Sequence, residues 1–101
     1  MKLLIITAIK EFEKDVLKIL KKGEVKTFTF KDVKGYKDLS EEAMESNWFA
    51  SEMNINESIL FYAFVKKENV EAVFELVKTF NEQQESMSQI HLASLNIEKS
   101  N

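Results

Sequence analysis

Ser58-Ile59-Leu60-Phe61-Tyr62-Ala63-Phe64-Val65 is apolar at nearly every position and rich in aromatic and β-branched residues, which predicts an extended strand. A strand with one wet face alternates apolar and polar residues; this one does not, so both of its faces must meet other side chains. Leu3 to Ile9 is a second run of this kind. Two such strands belong at the centre of a sheet.

The flanking segments supply the rest. Glu11 to Lys22 sets Phe12, Val16, Ile19 and Leu20 at helical spacing, and Gly23 is expected to stop the helix. Val25 to Val33 alternates, with Phe28 and Phe30 on one side and Thr27, Thr29 and Lys31 on the other, so it reads as a half-exposed strand at an edge or interface, ended by Gly35. Glu68 to about Gln83 carries Val70, Val73, Phe74, Val77 and Phe80 on one helical stripe, and Gln89 to Ile97 is the last strand. The order β-α-β-β-α-β predicts an α+β, ferredoxin-like sandwich: a four-stranded antiparallel sheet with two helices on one face. The 101 residues suffice for one domain with one core.

Two helices cover only one face of such a sheet, yet both central strands are apolar on the other face too. Leaving five large side chains wet would lose roughly 7–15 kcal/mol, as much as the whole stability of a domain, about 5–15 kcal/mol. Copies of the same chain in closed symmetry are the economical cover.

Composition narrows the function. The chain has no Cys, which excludes disulfides, thiolate metal sites and a Cys nucleophile and suits a reducing compartment. The apolar N-terminal run is too short for a signal peptide or membrane span and a charged helical pattern follows it, so a cytoplasmic protein without membrane insertion is expected. Net charge is −3 and all 14 basic residues are Lys. Nucleic-acid binding, which calls for a basic surface and favours Arg forks, is not expected. His91 is the sole histidine, so a cluster of His ligands cannot form within one chain. Glu41 and Glu42 lie in a polar stretch with nothing to shift a pKa. The chain is not expected to be an enzyme.

Residues 36–57 have no clear period, and a connection of that length is seldom kept without a use. Residues 38–65 hold six acids and no base, whereas residues 1–37 hold ten Lys against five acids. Trp48 and Phe49 lie among those acids and are candidate partner-binding residues for a basic surface with an apolar pocket. Residues 37–57 are expected to be mobile until a partner or ligand binds.

Val25-Lys26-Thr27-Phe28-Thr29-Phe30-Lys31-Asp32-Val33-Lys34-Gly35-Tyr36 resembles the strand of the PII signalling proteins that ends in a Glu-Val-Lys-Gly-Phe pattern before their protruding T-loop. Ala8-Ile9-Lys10-Glu11-Phe12 is similar to that family's Ile-Lys-Pro-Phe helix entry, with Glu for Pro. The resemblance spans almost the whole chain in element order. It implies a homotrimer with its sheets facing inward. It also implies a T-loop-like segment at 36–57 that controls a partner, such as a membrane transporter, in response to a small ligand.

PII proteins bind ATP or ADP between subunits with a Gly-rich loop, a Lys on the last strand and a basic C-terminal segment. Here the corresponding loop reads Asn81-Glu82-Gln83-Gln84-Glu85-Ser86-Met87-Ser88, without Gly and with two acids. Gln89 stands where the Lys is expected, no basic tail precedes Asn101, and Lys37-Asp38-Leu39 replaces a Gly-Arg-Gln. The candidate ligand-binding residues are therefore Lys34, Gly35, Tyr36, Lys37 and Gln89, with nucleotide binding weakened. The alternative is a soft-metal protein in which Met44, Met53, Met87 and His91 ligate Cu(I) or Ag(I). A third reading is a structural or adaptor trimer that binds no ligand.

Overall fold

Alternate residues of the first strand turn into one core: Leu4, Ile6 and Ala8 are buried, while Leu3, Ile5 and Thr7 between them are only half-buried. The computed structural model describes residues 1–36 and 55–101. Along the chain these form β1 (Lys2–Ile9), a 3-10 turn (Lys10–Phe12), α1 (Glu13–Lys22), β2 (Thr29–Tyr36), β3 (Ile55–Val65), α2 (Lys67–Gln83) and β4 (His91–Asn96). The sheet order is β2-β3-β1-β4 and every pairing is antiparallel. The two continuous apolar strands are thus central, the alternating strand is at an edge, and the α+β ferredoxin-like arrangement is the one expected.

Register sorts the side chains. Leu4 lies opposite Ala63, Ile6 opposite Phe61 and Ala8 opposite Ile59. This face packs on Val16, Ile19 and Leu20 of α1 and on Val70, Val73 and Val77 of α2. Phe12 meets Phe80 edge to face at 5.0 Å, which ties the start of α1 to the end of α2. The other face carries Leu3 between Phe64 and Leu95, Ile5 between Tyr62 and Ala93, and Thr7 between Leu60 and His91. Among the described residues no helix covers that face, and Tyr62, Phe64 and Leu95 are 42%, 56% and 42% exposed.

α1 ends at Lys22 with Gly23 as its C-cap, as expected, but the left-handed position is taken by Glu24, with φ 61°, while Gly23 has φ −80°. Glu24 N–H donates to the Lys21 carbonyl and Val25 N–H to the Leu20 carbonyl. That pair of bonds is a Schellman closure, and Val25 is buried as its apolar contact. Strand pairing therefore begins at Thr29 and not at Val25: Val25 belongs to the helix end. Gly23 is needed for another reason. A Cβ there would lie 2.7 Å from Val73 Cγ2, where the two helices approach. Because Gly adopts positive φ without steric cost, Glu24→Gly is expected to stabilise the fold by roughly 0.5–1 kcal/mol, read as a higher denaturation midpoint. A loss of stability would contradict the strain at Glu24.

β3 begins at Ile55, three residues before the predicted Ser58, because β2 runs on to Tyr36 and pairs with it. Ile55, Asn56 and Glu57, expected to be part of a mobile loop, are strand residues opposite Tyr36, Gly35 and Lys34. Lys10 Nζ holds the helix entry to β2, at 2.7 Å from Glu13 and 2.5 Å from Asp32. The Asp32 hydrogen bond first, then that of Glu13, raises the Lys10 pKa above 10.5. A raised ammonium pKa stabilises the fold below 10.5, and that contribution is lost as pH climbs through the raised value. The group is exposed, so the contribution is small.

Candidate functional site

The segment joining α2 to β4 occupies the place of the expected nucleotide loop, and amide side chains organise it. Asn81 works across the gap: its Nδ2 donates to the Ile90 carbonyl at 2.9 Å and its Oδ1 accepts the Ile90 N–H at 2.8 Å. Gln84 works within the loop. Its Nε2 donates to the carbonyls of Ser86 at 2.9 Å and Ser88 at 2.5 Å, and its Oε1 accepts the Ser86 N–H at 2.8 Å. The Ser88 N–H donates to Ser86 Oγ at 3.2 Å. A phosphate cradle needs several backbone N–H groups pointing at the ligand. In this loop the N–H groups of Ser86, Ser88 and Ile90 are bound to the chain's own side chains. The sequence signalled the loss through the missing Gly; it did not signal that Asn81 and Gln84 fill the role of loop scaffold.

Beside this loop lies an open groove of about 500 Å³ between α2 and the start of β4. Its floor is apolar, formed by Phe74, Val77, Ile90 and Leu92. Lys78 and Glu82 line it from the helix, and Gln89 and His91 from the strand side. This is where the structure places Gln89, one of the predicted ligand-binding residues. Lys34, Gly35 and Tyr36 lie on β2, at the opposite edge of the sheet from β4. Three inter-strand steps separate them, about 14 Å. Within one chain, then, these residues are not brought together. A Cβ at Gly35 would come 2.6 Å from Ser58 Oγ, a contact that rotation of the Ser58 hydroxyl relieves.

Of the metal candidates only Met87 and His91 are among the described residues. His91 stands exposed at the start of β4, opposite Thr7. Met87 is 98% exposed and does not line the groove. Among the described residues no group of three His, Cys, Asp or Glu side chains is placed to hold a metal ion. Lys37, Met44, Trp48, Phe49 and Met53, together with Glu41 and Glu42, lie outside the described residues. Among the described residues no helix is long and apolar enough to cross a membrane.

No family model matches the sequence, and no curated protein is significantly similar to it. Solved structures are. The PII-like nitrogen regulatory protein CPII from Thiomonas intermedia K12, bound to ADP, AMP and bicarbonate, superimposes with a TM-score of 0.60 at 18% identity, covering 95% of this chain and 92% of that one. The apo form of CPII gives 0.59 at 19% identity, over 93% and 89%. A DUF3240 family protein from Shewanella baltica OS155 gives 0.67 at 12% identity, over 99% and 92%. These likenesses establish a PII-like fold for the chain.

Proposed function

We propose that this chain is a non-catalytic, cytoplasmic PII-like regulatory protein. It assembles as a homotrimer through the uncovered face of its sheet, senses a small ligand, and passes that state to a partner through the segment between Tyr36 and Glu57. The observation that carries this reading is the uncovered apolar face ending at β4, beside the groove that holds Gln89 and His91. That face ends at the β4 edge, where the groove opens on the helix side, so a ligand in the groove would lie beside the boundary of the assembly. Gln89 and the β2 residues Lys34, Gly35 and Tyr36, at opposite edges in one chain, then form one site only across a subunit boundary.

The CPII neighbour is described as bound to ADP and AMP, so adenine nucleotides are the first ligands to try. With the loop N–H groups already engaged, phosphates gain no cradle here. Calorimetric titration of AMP, ADP and ATP into the full chain is therefore expected to show weak binding that does not tighten from AMP to ATP. Affinity that climbs with each phosphate and reaches the micromolar range for ATP would overturn this account of the loop. It would mean that lysines such as Lys34 supply what the loop lacks.

A further inference from the structure

The net charge of −3 hides a polarity along the strands. β1 starts and β3 finishes at one end of the sheet, where Lys2 lies opposite Val65. α1 ends and α2 begins there too: a Cβ at Gly23 would touch Val73, and Lys26 and Lys66 line one hollow of about 330 Å³. Six lysines gather at this end, Lys2, Lys21, Lys22, Lys26, Lys66 and Lys67, and all but Lys2 are exposed. The acids beside them are Glu24, Glu68 and Glu98, the last offset by Lys99. Glu71 stands one turn further along α2, as Lys18 does one turn back along α1. Both ion pairs among the described residues belong to Lys10, at the other end of β1. Lys2 donates to Asn96 instead of a carboxylate.

This basic end lies outside every contact proposed above. Lys2 shares its side of β1 with the buried Leu4, and the other five are in the helices and turns, so none is on the sheet face assigned to the trimer. Residues 37–54 leave and rejoin the sheet at the Tyr36–Ile55 pair. β3 runs from there to Val65 over 11 residues, about 33 Å. A segment that goes out and comes back spans half its length, here at most about 31 Å, so it falls short of Lys66 and Lys67.

We propose that this end docks on an anionic lipid bilayer, at its surface and without insertion. Lysine is a hydrated point charge on a flexible stem and makes no bidentate fork, so the cluster suits many mobile headgroups better than one shaped anion. Protein interfaces are depleted in Lys, which argues against an acidic protein as the partner. The overall negative charge is no obstacle. At physiological salt a charge is felt over about 8 Å, and Glu11, Glu13, Asp32 and Glu57 lie towards the opposite end of the sheet. A surface in contact with the basic end meets the lysines and not the sum. The docking does not rest on the trimer reading.

Vesicle sedimentation with the full chain tests it. Phosphatidylcholine vesicles with one-third phosphatidylserine, in about 0.1 M salt, should carry the protein down, and phosphatidylcholine alone should not. Raising the salt to about 0.5 M should release it. Lys26→Gln and Lys66→Gln should each weaken binding about fivefold and together about thirtyfold, while Lys14→Gln, near the other end of α1, should change it less than about twofold. All three side chains are exposed, so the variants keep the fold, which circular dichroism checks. Absence of binding to the anionic vesicles, equal binding to neutral ones, or an equal loss with Lys14→Gln would overturn the proposal. So would a short DNA duplex that displaces the vesicles and is weakened equally by Lys26→Gln and Lys66→Gln, because the end would then take any polyanion.

Discussion

Phe61→Ala is expected to lower the unfolding free energy by about 3–5 kcal/mol, a large part of the stability of a domain of this size. Phe61 is 1% exposed, lies opposite Ile6 on the central strand pair, and holds Phe30 stacked at 5.1 Å and Phe28 at 5.9 Å. Removing the ring opens a cavity under both neighbours and exposes them further, and the rigid sheet beneath cannot close it. Urea denaturation followed by circular dichroism measures the loss. Phe30→Ala serves as the comparison: its ring is half in solvent already, so a cost of about 1 kcal/mol is expected. Similar costs for the two variants would mean that Phe61 is not the centre of this packing.

The second large effect concerns assembly. Leu4 and Phe61 face the helices and are buried within the chain itself, so a charge at either position tests folding alone. Phe64 faces the other way, beside Leu3 and 56% exposed, where an Asp is tolerated in a free subunit. If the open face is the trimer interface, Phe64→Asp places a carboxylate in a buried apolar contact, which breaks the contact before it breaks the fold. Light scattering should give a mass for the wild-type protein of about three 11.8 kDa chains. For Phe64→Asp that mass should fall threefold, with the far-ultraviolet circular dichroism unchanged. A wild-type protein that is a monomer at micromolar concentration, or a variant of unchanged mass, would remove the open face as an interface.

Much of this is legible in the sequence. Periodicity alone separated the two continuous strands from the alternating one, and that difference dictates which are central. The greasy second face was readable too: Ile5, Leu60, Tyr62 and Phe64 sit between residues that the helices must cover, so they point the other way. The absence of Gly between residues 81 and 89 marked the missing phosphate cradle. What could not be read was who takes the vacated roles. Nothing in the order Asn81, Gln84, Ser86 announces a closed set of hydrogen bonds, because each bond depends on where the chain turns.

The end of α1 shows the same boundary on a smaller scale. Gly23 looked like the helix stop because Gly is the residue most often found in the left-handed position. The left-handed position falls instead on Glu24, and Gly23 serves the approach of Val73 of α2, which leaves no room for a Cβ. Local pattern set the element types, their order and the apolar character of both sheet faces, because those follow from side-chain period and the handedness of the backbone. The register that puts Gln89 and Lys34 at opposite edges and the groove beside α2 arise from contacts between residues far apart in the chain. Such contacts have energies that no local stretch carries, so they appear only when the strands are placed side by side.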